Sequence, residues 1–472
     1  MASNLHERLR GIVHGARSAV PSVSTDGTAP SLDPAQDPSG LSTRIRSAVR
    51  IGPDHMHAAA NCLGGAVIHR PDGAVVVVDR EYQADALHGC VSIRQIVDTI
   101  REGADGCATL GRAFPAAAGL RGADPEGSAS LLFLDLETTG LAGGAGTHAF
   151  LVGCAYLDGS AIRIRQFLLP GFEHEPAVLA EVGAFAQDHG ALVTFNGRSF
   201  DVPLIETRYL FHRQRWPLND VPHLDMLHAA RRLWRTRPTL AVADPDAGSC
   251  SLSVIERYVA GLHRVGDVPG FEIPSRYFQF VRDGDARPLV AVLEHNRLDL
   301  VSLAAVMARA ITLVERGPMM ASNAHEVLGL ARLYERAGAE AEAEGALRQV
   351  MALARRTDVE PDVHGDALRR LAWIQRRGGR PHEAAEAWQQ LATLPRCPGA
   401  LRREAREALA IHHEHRSRDL GTARSLVLEV LREDAAGHRR EAAEHRLRRL
   451  EKKIAVREQG GLMAALDDGA TR

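Results

Sequence analysis

The sequence predicts an α/β domain built on a mixed sheet flanked by helices, followed by an all-α arm of paired helices. Three observations carry this. From Leu131 the chain reads as three apolar strand-like runs, a helix, a fourth strand and a second helix, an α/β order with an antiparallel start. After Gly317-Pro318 the pattern turns helical throughout. Within that stretch LARLYERAGAEAEAEGAL (330–347), LAWIQRRGGRPHEAAEAW (371–388) and LAIHHEHRSRDLGTARSL (409–426) echo one another, their starts 41 and then 38 residues apart.

A chain of 472 residues has room for about three domains. Hydrophobic residues at 45% and charged residues at 25% are the balance of an ordinary globular protein, which excludes wholesale disorder and collagen-like repeats. The formal charge of −2 gives no global basic field, so nucleic acid can be held only by a local patch or through metal ions. All but Lys452 and Lys453 of the 57 basic residues are arginine, which reads as a coding bias rather than a function. The six cysteines form no CxxC pair and have no histidine at zinc-finger spacing, so free thiols in a reducing cytoplasm are expected. The N-terminus lacks the continuous apolar core of a signal peptide, and no 18-residue apolar run offers a membrane span. A cytoplasmic protein with no membrane partner is expected.

Each element has its own warrant. Residues 1–50, with SAVPSVSTDGTAPSLDPAQDPSGLST (18–43) at their centre, are too polar to offset their ordering entropy and are expected to be a disordered tail and linker. Residues 51–125 form a small accessory region. Its apolar runs flank Arg70-Pro71-Asp72-Gly73, a hairpin signal, and SIRQIVDTIREG (92–103) follows as a helix. The α/β domain spans 128–316. LLFLDLE, HAFLVGCAYL and IRIRQFLLP are its first strands, EPAVLAEVGAFAQDHG a helix ending at Gly190, ALVTFN a strand and VPLIETRYLFHR a helix. SLSVIERYVAGL and a long helix near 287–316 complete it. In the arm (321–458), Ala384, Trp388, Leu391 and Pro395 follow the pattern of the second half of a tetratricopeptide repeat, so about three TPR-like pairs are expected. A flexible tail is expected over 459–472.

Three windows carry chemistry. In LLFLDLETTGL, Asp135 and Glu137 are two apart on a strand and share a face, a pairing that a hard divalent cation would relieve. The same residues also fit a strand running out into a polar turn. In ALVTFNGRSFDVPLIETR, Asp201 stands where a turn opens into a helix and also fits an N-cap. In the helical VAVLEHNRLDLVSLAAVMARA, His295 and Asp299 are one turn apart, as a general base beside a metal ligand or as a surface ion pair. Taken together, four carboxylates from separate elements match a hydrolytic site for two cations, Mg2+ or Mn2+, roughly 4 Å apart.

DLETTGL, FNGRSFD and HNRLDL resemble the three exonuclease motifs of the DEDD superfamily, which has a ribonuclease H-like fold. The resemblance is closer to the YprB-like ribonuclease H-fold domains. It runs from Leu131 to Ala310 through GLAGGAGTHAFLVG, CSLSVIERYVAGL, DVPGFEIPSRYF and EHNRLDLVSLAAV. It implies that Asp135, Glu137, Asp201 and Asp299 ligate two divalent metals and that His295 is the general base. One departure stands out: the family places a His five residues, or a Tyr four residues, before the last Asp, and here a His holds the Tyr spacing.

Secondary candidates have two readings each. The backbone of Thr138 and Thr139 can touch a terminal nucleotide or shape a turn. Asn196 can bond a sugar or hold the Asp201 loop, and Arg208 can face a phosphate or plain solvent. Asp225 can support the second motif or serve as a ligand. The Gly-rich GLAGGAGTH lacks the Lys-Ser/Thr ending of a phosphate loop. The basic run 438–453 can touch nucleic acid or form the solvated outer face of a capping helix.

The expected function is a metal-dependent nuclease, a 3'-to-5' exonuclease acting on DNA or RNA ends or single strands, with a protein partner engaged through the TPR-like arm. The alternatives are a non-catalytic ribonuclease H-fold scaffold working through that arm, and a structure-selective endonuclease.

Overall fold

The computed structural model describes residues 52–120, 131–140, 146–234, 250–433 and 438–469. The tail expected over 1–50 and most of the Gly-rich 140–148 segment lie outside them.

A seven-stranded sheet organises the first part of the chain, in the spatial order β1-β2-β7-β6-β5-β8-β9. Its middle is the run expected from the sequence: β5 (Leu131–Thr138), β6 (Ala149–Asp158) and β7 (Ala161–Leu168) form an antiparallel meander. β8 (Ala191–Thr194) and β9 (His223–Asp225) continue beyond β5 as parallel strands. Parallel strands need crossovers, and α4 (Glu175–Ala186) and α5 (Asp201–Phe211) supply them. Four successive buried residues from Leu131 make β5 a central strand covered on both faces.

The hairpin β1 (Ala66–Arg70) and β2 (Gly73–Tyr82) turns through Pro71-Asp72 with Arg70 opposite Gly73. It does not stand apart as an accessory unit, because β2 pairs with β7 along Val76–Tyr82 and extends the same sheet. The unbroken buried run Ala74–Val78 is the reason: a strand this apolar must be covered on both faces. The segment's helices α1 (Pro53–Leu63), α2 (Ile93–Glu102) and α3 (Ala104–Ala113) pack on the long helix described next. The two-residue strands β3 (Leu87–His88) and β4 (Val91–Ser92) precede α2, and Ser92 caps it by accepting from the Gln95 backbone N–H at 3.2 Å.

α6 (Met226–Leu233), α7 (Leu252–Ala260) and α8 (Ile273–Asp283) lead to α9 (Arg287–Arg316), whose 30 residues cross β5, β6 and β7. Gly153 on β6 makes this crossing close: a Cβ there would lie 2.1 Å from Asn296 Oδ1 of α9.

The chain then becomes all-helical: α10 (Ala324–Ala337), α11 (Glu340–Ala354), α12 (Pro361–Arg377), α13 (Pro381–Thr393), α14 (Gly399–His412), α15 (Leu420–Arg432) and α16 (His438–Gly469). Each packs on the next, with Ala384, Trp388 and Leu391 buried. Ion pairs reach across the stack between helices two apart, as in Arg332–Asp366 at 2.8 Å and Arg369–Glu404 at 2.8 Å, and Arg380, just before α13, pairs with Glu344 of α11 at 2.6 Å. The basic run expected as an outer face has a structural use, since Arg446, Arg449 and Lys453 converge on buried Glu414. α16 runs to Gly469, past residue 459, where the tail was expected to begin.

Gly317 (φ +76°) breaks the helix but not the packing. One apolar core runs from Phe133 through α9 into α10 and α12. Glu326 of α10 accepts from Trp234 Nε1 at 2.7 Å and from Arg309 Nη2 at 2.9 Å. At Gly329 a Cβ would lie 2.3 Å from the Arg232 carbonyl, so α10 lies directly on α6.

Candidate active site

The site forms where β5 ends, β8 passes into α5, and α9 crosses the sheet. Along β5 the alternation puts Asp135 and Glu137 on one face, partly buried, and Leu136 on the other. A register shift between Glu137 and Thr138 in the pairing with β6 marks a bulge, which re-aims side chains at a strand end.

Asp135 is held by α9. Asn296, fully buried, donates through Nδ2 to the Asp135 carboxylate at 2.8 Å and to its carbonyl at 3.2 Å. The Asn296 Oδ1 in turn accepts from Gln166 Nε2 of β7 at 2.8 Å. Asp201 is the first residue of α5, and no side chain caps that helix, so the cap reading of Asp201 does not apply. The turn before it is set by Asp225, which accepts from the backbone N–H of Asn196 at 2.7 Å, of Arg198 at 3.1 Å and of Leu227 at 3.1 Å. Asn196 sits in this turn at φ +66°, the left-handed region that Asn tolerates. Asp225 and the Asn196 backbone are thus the loop's framework. Thr138 Oγ1 donates to the Gly140 carbonyl at 3.1 Å, and Thr139 Oγ1 accepts from the His148 N–H at 3.0 Å, so both hydroxyls shape the turn leaving β5.

Three of the carboxylates are pushed up, each in part by the charge of Asp299. Burial, then the charges of Asp299, Glu137 and Asp201, push Asp135 well above the usual aspartate range, against the pull of Asn296. Burial, then Asp299, Asp201 and Asp267, push Glu137 up, while Arg264 pulls it down. Asp201 is pushed up to about 7, by burial first and then by Asp225 and Asp299, against hydrogen bonds from the backbone of Asp201 and Leu136. Like charges gathered in a partly dry pocket disfavour their own ionisation. A divalent cation offsets that penalty, and an all-oxygen set suits a hard one. Among the described residues no group of three or more His, Cys, Asp or Glu side chains that could hold a metal ion is found.

His295 and Asp299 are on one face of α9, with Nε2 to Oδ2 at 3.6 Å. The histidine has a partner the sequence did not reveal: Nδ1 lies 2.8 Å from Asp267 Oδ1, in the loop between α7 and α8. Burial raises Asp267, but His295 and Arg264 outweigh it and hold it below the usual range, so it is a carboxylate that accepts. A carboxylate there can only accept an Nδ1–H, and Nε2 is turned toward Asp299. Arg264, from the same loop, pairs with Glu256, Asp267 and Asp299 together.

Arg208 is not solvent-facing. Its side chain is 1% exposed and grips buried Glu175 of α4 through Nε, at 2.7 Å, and through Nη2. His148 Nδ1, at 3.0 Å, and His212 Nε2, at 2.7 Å, close the same carboxylate.

A mixed sheet with helices around it, and carboxylates gathered where β5 and β8 end, define an α/β domain with an acidic site. Residues 132–311 match the RNase_H superfamily. The uncharacterized protein YprB of Bacillus subtilis (strain 168) is 32% identical over 315 residues, a stretch that is 65% of this chain and 70% of that protein. The chain belongs to the YprB family and carries an RNase_H superfamily domain. Among the described residues, no helix is long and apolar enough to cross a membrane.

Proposed function

We propose that this protein is a divalent-metal-dependent nuclease that cleaves phosphodiester bonds, acting as a 3'-to-5' exonuclease on DNA or RNA ends. The observation that carries the reading is that Asp135, Glu137 and Asp201, from β5 and α5, are pushed up by burial and by acidic neighbours that include Asp299 of α9. Those four side chains would hold Mg2+ or Mn2+, two ions in the working complex. The bound ions would supply charge against the phosphate and a water made more acidic.

The chain's own groups complete the assignment. His295 takes a proton from the attacking water at Nε2, and Asp267 positions it through Nδ1. Asn296 fixes the Asp135 carboxylate from behind. Phe200, 58% exposed beside Asp201, is a ready platform for stacking a terminal base. The turn at Thr138 and Thr139, and Asn196 across from it, would meet the terminal nucleotide. The TPR-like arm would recruit a protein partner and, through α10, brace α6 and α9 beneath the site.

The test is a cleavage assay on 5'-labelled single-stranded DNA and RNA, with Mg2+ or Mn2+ and with EDTA as control. A ladder of 3'-shortened products that EDTA abolishes is expected. Binding without cleavage in either metal would reject the nuclease and leave the scaffold reading.

A further inference from the structure

The arginines that bridge the arm's helices end on carboxylates. Arg332, Arg369, Arg370, Arg380 and Arg406 each reach an acid of another helix. Arg376 and Arg416 do not. Both are exposed, and among the described residues neither forms an ion pair. They stand on the rim of one groove of about 410 Å3, set between α12, α13 and α14. Its floor is apolar, with Ala384 and Trp388 of α13 buried and Ile411 of α14 half-buried. His412 and His415 complete the rim, and no acid lines the groove among the described residues.

The positive rim has a structural origin. α14 ends in a π turn, His413–Ser417, which closes at Arg418 in the left-handed region (φ +55°). Such turns are rare and cluster at functional sites. Within the turn Glu414 is buried and closed on by Arg446 Nη1 at 2.9 Å, Arg449 Nη2 at 2.7 Å and Lys453 Nζ at 2.7 Å. His415 Nε2 lies 3.5 Å from the same carboxylate. The nearby acid is thus already matched by cations of α16 and leaves the charge of Arg416 uncancelled. Across the groove, the Arg376 guanidinium lies 5.1 Å from the Trp373 ring centre, a cation–π contact that holds it in place. Burial, then the positive charges of His413, His382 and Arg416, hold His412 below the usual histidine range.

We propose that this groove receives a short acidic segment of a partner protein, with one apolar side chain entering over Trp388 and flanking carboxylates meeting Arg376 and Arg416. The inference names a surface and a chemistry for the partner role given to the arm above; it rests on that role and not on cleavage. An apolar pocket for an anchor with arginines beside it suits a peptide, since the guanidinium fork matches a carboxylate. It suits a nucleic-acid strand less well, because single strands are held on exposed aromatic faces. Here Trp388 is 2% exposed and the Trp373 ring already carries Arg376.

The experiment is fluorescence anisotropy of the full-length protein in EDTA with a fluorescein-labelled peptide of glutamates around a central leucine. The same peptide with glutamine or with lysine in place of glutamate, and labelled single-stranded DNA, are run beside it. Saturable binding of the acidic peptide, weakened by salt, is expected. Arg376→Gln/Arg416→Gln should weaken it about 10-fold, the worth of two exposed charge pairs. Ala385→Phe, which fills the groove wall at unchanged charge, should weaken it too. Thermal melting checks that both variants are folded. Unchanged affinity in both folded variants would put the peptide elsewhere and overturn the inference. No binding of the acidic peptide would also overturn it; if the glutamine or lysine peptide binds instead, the arm's partner role survives. DNA bound more tightly than the peptide, and lost with the same two arginines, would make the groove a nucleic-acid surface and remove the partner role as well.

Discussion

A lone buried acid and a partly buried acidic cluster lie beside the turn that leaves β5, and they are opposites. Glu175 is closed on by Arg208, His148 and His212, and these bonds outweigh its burial and hold it down to about 2. Asp135, Glu137 and Asp201 are surrounded by other acids and pushed up, Asp201 to about 7. The residue chemistry is the same, and the difference lies in what faces the carboxylate. A satisfied acid ties α4 to α5. An unsatisfied one stores a demand for positive charge.

The comparison breaks most visibly under isosteric neutralisation. Asp135→Asn removes a charge from the crowded cluster, so cleavage in Mg2+ or Mn2+ should fall below detection while the metal-free fold is as stable as wild type or more so. Glu175→Gln removes the partner of a buried arginine, which should destabilise the fold by about 3–5 kcal/mol. Cleavage by whatever remains folded should be near normal. Urea denaturation and product analysis on both variants read this out. If Asp135→Asn unfolds the protein and Glu175→Gln abolishes cleavage in a stable fold, the two have been assigned the wrong way round.

The next effect concerns the histidines. His148 and His212 serve a satisfied carboxylate, whereas His295 spans Asp267 and Asp299. His295→Ala should lower turnover by about 10²- to 10⁴-fold, the worth of a positioned acid–base group, with Mn2+ affinity retained. Asp267→Asn should lower turnover less and leave KM unchanged, because it costs the ring's orientation and not the ring. Turnover of His295→Ala within a few-fold of wild type at saturating Mn2+ would remove the base role.

Much of this was legible in the chain, for a physical reason. Strand period and helix period are local, so β5, β6, β7, β8, α4, α5 and α9 could be located from apolar spacing, and the motif carboxylates with them. What could not be read is what depends on a loop's place in space. Arg264 and Asp267 lie in a loop between α7 and α8, in a region whose spacing carries no periodic signal, yet they touch α9. Arg208 reads as an exposed helical arginine because nothing local announces Glu175 33 positions away. The hairpin was legible, but its partner β7 follows it by some eighty positions, so its membership in the main sheet was not. Gly153 is quiet in sequence because its need is tertiary: only the passing Asn296 forbids a side chain there.

The smallest effect, and the one that sharpens the contrast most, is the pH dependence of stability in EDTA. Asp201 is raised in the folded state, so between about 4, the ordinary aspartate value, and about 7 the folded chain keeps a proton that the unfolded chain has released. Its contribution is unimpaired below that window and is lost as pH rises through it. Wild type should therefore lose stability relative to Asp201→Asn on going from acid to neutral pH, by at most about 1.4 kcal/mol per pH unit for one proton. Removing the Asp201 charge also relieves Asp135 and Glu137, which acts in the same direction. His88 and His223, each lowered to about 4 with burial as the first cause, titrate in this window with the opposite sign, but they do so in both proteins and cancel in the difference. Glu175 runs the other way: its stabilisation is present above the ordinary glutamate value and fades as pH falls toward about 2, so the gap between wild type and Glu175→Gln should close on acidification. Added Mn2+ should stabilise wild type increasingly as pH rises, because the ligands must first lose their protons. Urea denaturation at half-unit pH steps measures all three slopes. A gap between wild type and Asp201→Asn that stays flat, or moves in favour of wild type toward neutrality, would mean that Asp201 is already satisfied within the fold, and the contrast with Glu175 would disappear.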